Sequence, residues 1–332
     1  MINLNDLPMR IALGQFGELT DEQVAFLKQC GCEDVLLHFP PIPGEKKWEF
    51  RDLVLLRARA EDVGLRLICV ENVPMRFYDK IMLGLPGREE QLDNMCETVA
   101  NMGRAGIPIL GYHFMPNAVW RTSRTTPVRG GALATSFDYE LVKNAPLSAG
   151  RVYTEEEMWE NYDWYLERIL PVCEEYNVRL ALHPDDPPVA SLGGIARPFR
   201  NFENFKRAME VHNSPMHGLD FCHGCWSEMR GGEGVLEAIQ YFGERGRLFY
   251  MHLRDVVGTA EKFTEVFVND GNVDPLQVLL ALKQVGFNGF IIDDHVPQMV
   301  NDSPWGHRAR AWTTGYLMGL LDAVNQMGTL AS

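Results

Sequence analysis

The chain has 332 residues, 46% of them hydrophobic, with a formal net charge of −14 and a pI near 5.1. That size and apolar content allow a large core, while an acidic balance with no basic run excludes nucleic acid and anionic membrane as main partners by repulsion. Seven cysteines, at 30, 32, 69, 96, 173, 222 and 225, are odd in number and scattered, so they read as reduced thiols and not as a disulfide framework.

In chain order, MINLNDLPMR has no basic-then-apolar leader, and no later apolar run nears the roughly 18 residues of a membrane helix. A cytoplasmic enzyme is therefore the default expectation. Strand and helix signals then alternate without an internal linker, as a parallel sheet with covering helices requires. The first four strands are predicted at Met9 to Gln15, Asp34 to Phe39, Leu65 to Val73 and Ile107 to Phe114, with amphipathic stretches such as Asp21 to Cys30 and Phe50 to Val63 between them. Gly31, Gly64 and Gly106 sit where helices should end in a left-handed residue. The stretch Met115 to Val152 breaks the rhythm. It shows no period, carries Arg121, Arg124 and Arg129, and is expected to hang over the C-terminal end of the sheet as a lid or as a solvated excursion.

The last four strands are predicted in Leu180 to Pro188 (LALHPDDPP), Gly218 to Cys222, Leu248 to Arg254 and Phe290 to His295, short apolar runs that each lead to a group able to bind metal. After His183 the next candidates follow at 39, 30 and 42 residues, about one strand, one helix and their loops. The expectation is a single (β/α)₈ barrel domain over 1–332 with a metal at its mouth, held by His183, Cys222, His252 and Asp294. Cys225 is a rival thiolate, but Cys222 is preferred because it lies at the strand end, where the pleat aims a side chain into the mouth. Two imidazoles, a thiolate and a carboxylate suit manganese, iron, cobalt or zinc on ligand type alone. His38, Glu71 and Asn72, His113 and His295 fall at the same end of their strands, which is where such barrels carry their chemistry.

Taken together, Tyr112-His113-Phe114-Met115-Pro116 with Trp120-Arg121-Thr122, LALHPDDPP, His252-Leu253-Arg254-Asp255-Val256, Asp270-Gly271-Asn272-Val273-Asp274 and Asp294-His295 resemble the mannonate dehydratase family, in order from about residue 65 to 300. The resemblance implies a xylose-isomerase-like barrel, a manganese-type site on His183, Cys222, His252 and Asp294, and His295 as a proton-transfer group. It also implies dehydration of D-mannonate to 2-keto-3-deoxy-D-gluconate, hence a small sugar acid as the partner; a homo-oligomer is left open. His113, Arg121 and Arg254 are the candidate substrate contacts, although each arginine could equally hold a neighbouring aspartate such as Asp185 or Asp255. The chain departs from the family after Asp294-His295. Val296 stands where a glycine is expected, and Trp305-Gly306-His307-Arg308-Ala309-Arg310-Ala311 has no tyrosine where a second catalytic group is expected. His307 is accordingly expected to share proton transfer with His295, and Arg308 to contact substrate. Two alternatives use the same barrel: a metal-dependent sugar isomerase or epimerase, against which HPDDPP argues, and a noncatalytic sugar-acid-binding relative.

Overall fold

The computed structural model describes residues 4–327. Eight parallel strands form its centre: β1 Arg10–Ile11, β2 Asp34–His38, β3 Arg66–Glu71, β4 Ile109–Tyr112, β5 Arg179–Leu182, β6 His217–Cys222, β7 Leu248–His252 and β8 Phe290–Ile292. Their order around the sheet is β1-β8-β7-β6-β5-β4-β3-β2. A parallel bridge from Leu13 to Val35 joins the two ends, with the Leu36 amide donating to the Leu13 carbonyl at 3.1 Å. The result is a (β/α)₈ barrel.

Among the described residues ten α-helices lie between or after these strands: α1 Asp21–Gln29, α2 Phe50–Asp62, α3 Asp79–Leu83, α4 Arg88–Ala105, α5 Glu155–Tyr176, α6 Phe202–Val211, α7 His223–Arg230, α8 Val235–Glu244, α9 Pro275–Gln284 and α10 His307–Gln326. Their boundaries follow local chemistry. Thr154 and Glu157 form a reciprocal capping box at the start of α5, and Asp274 caps α9 ahead of Pro275 at its first position. Gly106 ends α4 at φ 78°, as a left-handed C-cap should.

Two apolar layers hold the barrel. Leu36, Ile68, Cys69, Ile109, Ala181, Phe249, Tyr250, Phe290 and Ile292 form the inner cluster, with register shifts between β2 and β3 and between β6 and β7, while residues such as Leu37, Leu180, Phe221 and Ile291 face the helices in a larger one. Each fully buried Leu, Ile or Phe contributes roughly 1.5–3 kcal/mol relative to exposure. Asp34, buried at the base of β2, accepts from both Arg10 and Arg66 and so ties β1, β2 and β3 together at the end remote from the mouth.

The stretch expected to be an aperiodic loop contains a hairpin, Ser123–Pro127 with Leu133–Asp138. It joins a second hairpin after β7, Asp255–Thr259 with Lys262–Val266, in a four-stranded antiparallel sheet. The join pairs Phe137 with Phe263, whose rings lie 5.9 Å apart, and buries both over Val256. This sheet, called the lid sheet below for its place, borders the barrel mouth through Arg124, Thr135 and Glu265; its regular structure was not expected.

Candidate active site

The strand pleat explains which side chains reach the mouth. A residue two places beyond an inward-facing position also faces inward. Leu36, Cys69, Ala181, Tyr250 and Ile292 are interior, so His38, Glu71, His183, His252 and Asp294 continue their faces upward, and Cys222 continues that of Asp220. All of these but Cys222 border a cavity of about 540 Å³, whose wall also includes residues just beyond β4, the lid sheet and the segment before α10. Gly111 lies beneath it because an added Cβ would collide with the Tyr250 hydroxyl, which donates to Glu71 at 2.9 Å.

His183, Cys222 and His252 bring three ligand atoms within 4.8 Å of one another. Asp294 adjoins them, with Oδ2 3.9 Å from the Cys222 sulfur and Oδ1 3.6 Å from His252 Nδ1. The four residues singled out in the sequence therefore converge. Their surroundings fit a divalent cation. His183 Nδ1 donates to the Pro184 carbonyl at 2.7 Å, which leaves Nε2 as its candidate ligand atom, while His252 is held by Glu71 Oε2 at 2.8 Å from Nε2 and its buried Nδ1 makes no hydrogen bond. Imidazole ligands are commonly oriented in this way through the opposite nitrogen. Burial disfavours a thiolate at Cys222, but the Cys225 thiol, Arg254 and His183 outweigh it and hold Cys222 well below the usual thiol range. Cys222 is also the N-cap of α7, whose positive end favours an anion.

Two further acidic clusters adjoin this one. Glu71 and Asp220 flank His252 from below, with Asp220 Oδ2 3.5 Å from its Nε2. Asp186, Cys225 and Glu228 form the other, and there a guanidinium takes the place a cation would fill. Arg254 donates from Nη1 to Glu228 at 2.9 Å, from Nη2 to Asp186 at 3.0 Å and to Cys225, and from Nε to Asp294 at 2.9 Å.

Two of the three arginines expected to contact substrate, Arg121 and Arg254, are thus occupied by carboxylates. Arg121 bonds both oxygens of Asp186, at 2.5 and 2.8 Å, and reaches Glu265 at 2.7 Å. Its partner is Asp186, not the neighbouring Asp185. Glu265, on the lid strand Lys262–Val266, also accepts from His295 Nδ1 at 2.9 Å, which fixes that ring between the lid and Asp294. Sequence reading missed Glu265; the only signal was the weak alternation of KFTEV. Burial counts against a charged His295, yet Asp294 and Glu265 raise its pKa. His113 borders the cavity, but Nδ1 accepts from the Met115 amide at 3.2 Å and Nε2 meets the Tyr78 hydroxyl at 3.3 Å. Burial first, and His183 second, push its pKa down to about 3, so it stands neutral.

His307 and Arg308 are not in the cavity wall. The His307 ring packs edge-on against Phe26 at 5.0 Å and Trp305 at 4.8 Å, with Nδ1 held by the Ser303 hydroxyl. Arg308 is exposed and donates to the Val300 carbonyl. Gly306, at φ 88°, is the left-handed residue that turns the chain into α10. The residue of this helix that borders the cavity is Arg310, which binds Asp293 and the Asp294 carbonyl. Of the lid arginines, Arg124 borders the cavity, is exposed and has no carboxylate partner among the described residues, whereas Arg129 pairs with Asp270.

Backbone strain is gathered at this mouth. Seven described non-glycine residues have positive φ, and five of them, Gln15, Phe39, Asn72, Ala118 and Asp294, line the cavity. Such conformations cluster at functional sites.

A family model described as D-mannonate dehydratase (UxuA) matches residues 9–151 and 146–330. The chain is 30% identical over 366 residues to the mannonate dehydratase of Thermotoga maritima, covering 96% of this chain and 99% of that one. It is 27% identical over 354 residues to mannonate dehydratase 2 of Halalkalibacterium halodurans, covering 96% and 100%. Among solved structures, the mannonate dehydratase from Streptococcus suis serotype 2 is similar with a TM-score of 0.88 at 25% identity, over 97% of this chain and 95% of that one. An L-ribulose 3-epimerase, at 12% identity and a TM-score of 0.61 over 98% of each chain, shares the fold alone.

Proposed function

Because the chain belongs to the D-mannonate dehydratase family, we propose that this hydro-lyase removes water from D-mannonate to give 2-keto-3-deoxy-D-gluconate, using a divalent metal, manganese first, held by His183, Cys222, His252 and Asp294. The observation that carries the metal is the pair of pre-oriented imidazoles, with His252 Nδ1 buried and without a hydrogen bond beside a stabilised Cys222 thiolate. Bound there, a divalent cation offsets the negative charge that accumulates on a sugar-acid carboxylate when the adjacent carbon loses its proton. Glu71 and Pro184 hold the two ligand rings in place. Glu265 holds His295, which exchanges protons with the substrate in the cavity. Arg121 and Arg254, saturated by Asp186, Glu228, Glu265 and Asp294, hold these carboxyl groups in place and do not themselves bind substrate.

The test is metal analysis combined with turnover on a panel of hexonates in deuterated water. About one divalent ion per chain is expected, with formation of a 2-keto-3-deoxy acid carrying deuterium at C3 and loss of that activity on chelation. Interconversion of neutral sugars without loss of water would instead favour the isomerase class, and a product without solvent hydrogen at C3 would refute the elimination.

A further inference from the structure

Eliminating water from a sugar acid takes two proton-transfer groups, one to remove the C2 proton and one to protonate the departing C3 hydroxyl. His295 can serve as one. His307, the sequence candidate for the other, faces Phe26 and Trp305 outside the cavity. The described residues of the cavity wall include no tyrosine and no lysine, and its carboxyl groups, Glu71, Asp186, Glu265 and Asp294, are each bonded to a histidine or an arginine, which turns attention to the remaining imidazoles. His183 and His252 are the candidate metal ligands, and both nitrogens of His113 are engaged by Met115 and Tyr78.

That leaves His38. It ends β2, borders the cavity, and its side chain is 29% exposed. Its Nδ1 lies 2.7 Å from Glu71 Oε1, an oxygen that Gln15 also reaches at 3.1 Å, and the other Glu71 oxygen is fixed by Tyr250 and His252 at 2.9 and 2.8 Å. With every bond of that carboxylate already placed, His38 Nδ1 carries the hydrogen and Nε2 is the nitrogen left for a ligand. The same arrangement recurs at His295, where Glu265 takes Nδ1. The mouth therefore has two carboxylate-held imidazoles, one from β2 and one beyond β8.

We propose that His38, positioned by Glu71, is the second proton-transfer group of this site, an inference that rests on the dehydratase reading. The C2–H bond breaks with its proton passing to one imidazole. Its electron pair forms the C2–C3 double bond as the C3–O bond breaks, and the hydroxyl departs as water with the proton of the other imidazole. The enol then takes a proton at C3 and gives up its hydroxyl proton to solvent, so one molecule of water is lost and no oxidant is involved. Glu71 is a positioning residue that serves two rings, His38 and His252.

The experiment compares His38→Gln, His38→Ala and wild type for metal content, kcat and KM on the hexonate that wild type dehydrates. His38→Gln should lower kcat by roughly 10²-fold or more with metal content unchanged and KM within a few-fold. Added imidazole should restore part of the activity of His38→Ala, which a purely structural role would not give. Turnover of His38→Gln within about threefold of wild type overturns the assignment. So does a loss of turnover that tracks loss of metal, since His38 would then act only through Glu71 on His252. A wild-type chain inert toward every hexonate overturns the dehydratase reading and this inference with it, whereas an active wild type with an active His38→Gln sinks this inference alone.

Discussion

Cys222 and Cys225 are both fully buried and three residues apart, yet they face different chemistry. Cys222 continues the inward face of β6 toward His183 and His252, while Cys225 lies on α7 against Arg254 and Asp186. Burial and the neighbouring Cys222 raise the Cys225 thiol well above its ordinary range, so it stays protonated and donates to Cys222. Cys222→Ser should therefore strip most of the bound metal, whereas Cys225→Ser, which keeps a hydroxyl donor, should retain most of it; metal analysis of the two purified variants checks this. Equal loss from both would mean the thiolate was misassigned. At this scale the convergence of the strand-end candidates was legible because pleat direction largely decides which of two adjacent side chains enters the mouth. The orientation of His307 was not, since it depends on the turn at Gly306 and on packing against Phe26, nearly three hundred residues away in the chain.

Among the elements, the barrel strands were readable as apolar runs with glycine-ended helices between them. The lid sheet was hidden for a physical reason: Ser123–Pro127 reads SRTTP and is polar on both faces, and the partner of Leu133–Asp138 is a strand from another loop. A second unexpected tie joins β4, β6 and α5. His217 Nε2 lies 3.2 Å from the Tyr112 hydroxyl and 3.0 Å from that of Tyr162, all three fully buried. Burial, with smaller effects of Arg247 and His212, pushes the His217 pKa down to about 3. An unfolded histidine titrates near about 6.5. Between those values the unfolded chain binds the extra proton, so His217 adds no cost above about pH 6.5 and removes stability as pH falls below it. Between pH 7 and 5 that loss should approach about 2 kcal/mol in wild type and vanish in His217→Gln, which is expected to be less stable at pH 7 but to have a flatter profile. Denaturant midpoints at pH 7, 6 and 5 read the difference; parallel slopes would show that His217 carries no such linkage.

Over the whole molecule, a formal charge of −14 opposes an anionic substrate, so attraction has to be local. Arg121 and Arg254 cannot supply it, because four carboxylates already claim them. Arg124, exposed on the lid and bordering the cavity, can. Arg124→Met should raise KM for a hexonate by roughly tenfold with kcat nearly unchanged, and added salt should raise KM less in the variant than in wild type. An unaltered KM would move substrate capture elsewhere.

The five left-handed residues that ring the cavity have a consequence for how this chain responds to selection. Each stores on the order of 1–3 kcal/mol, against a total stability of about 5–15 kcal/mol for an ordinary domain. Glycine at Gln15, Phe39, Ala118 or Asp294 would release part of that store, so a laboratory screen that rewards only heat resistance should be drawn to the mouth. Its winners would be sturdier barrels whose loops no longer converge on one substrate, and heat resistance and turnover would have to be selected together to keep the site.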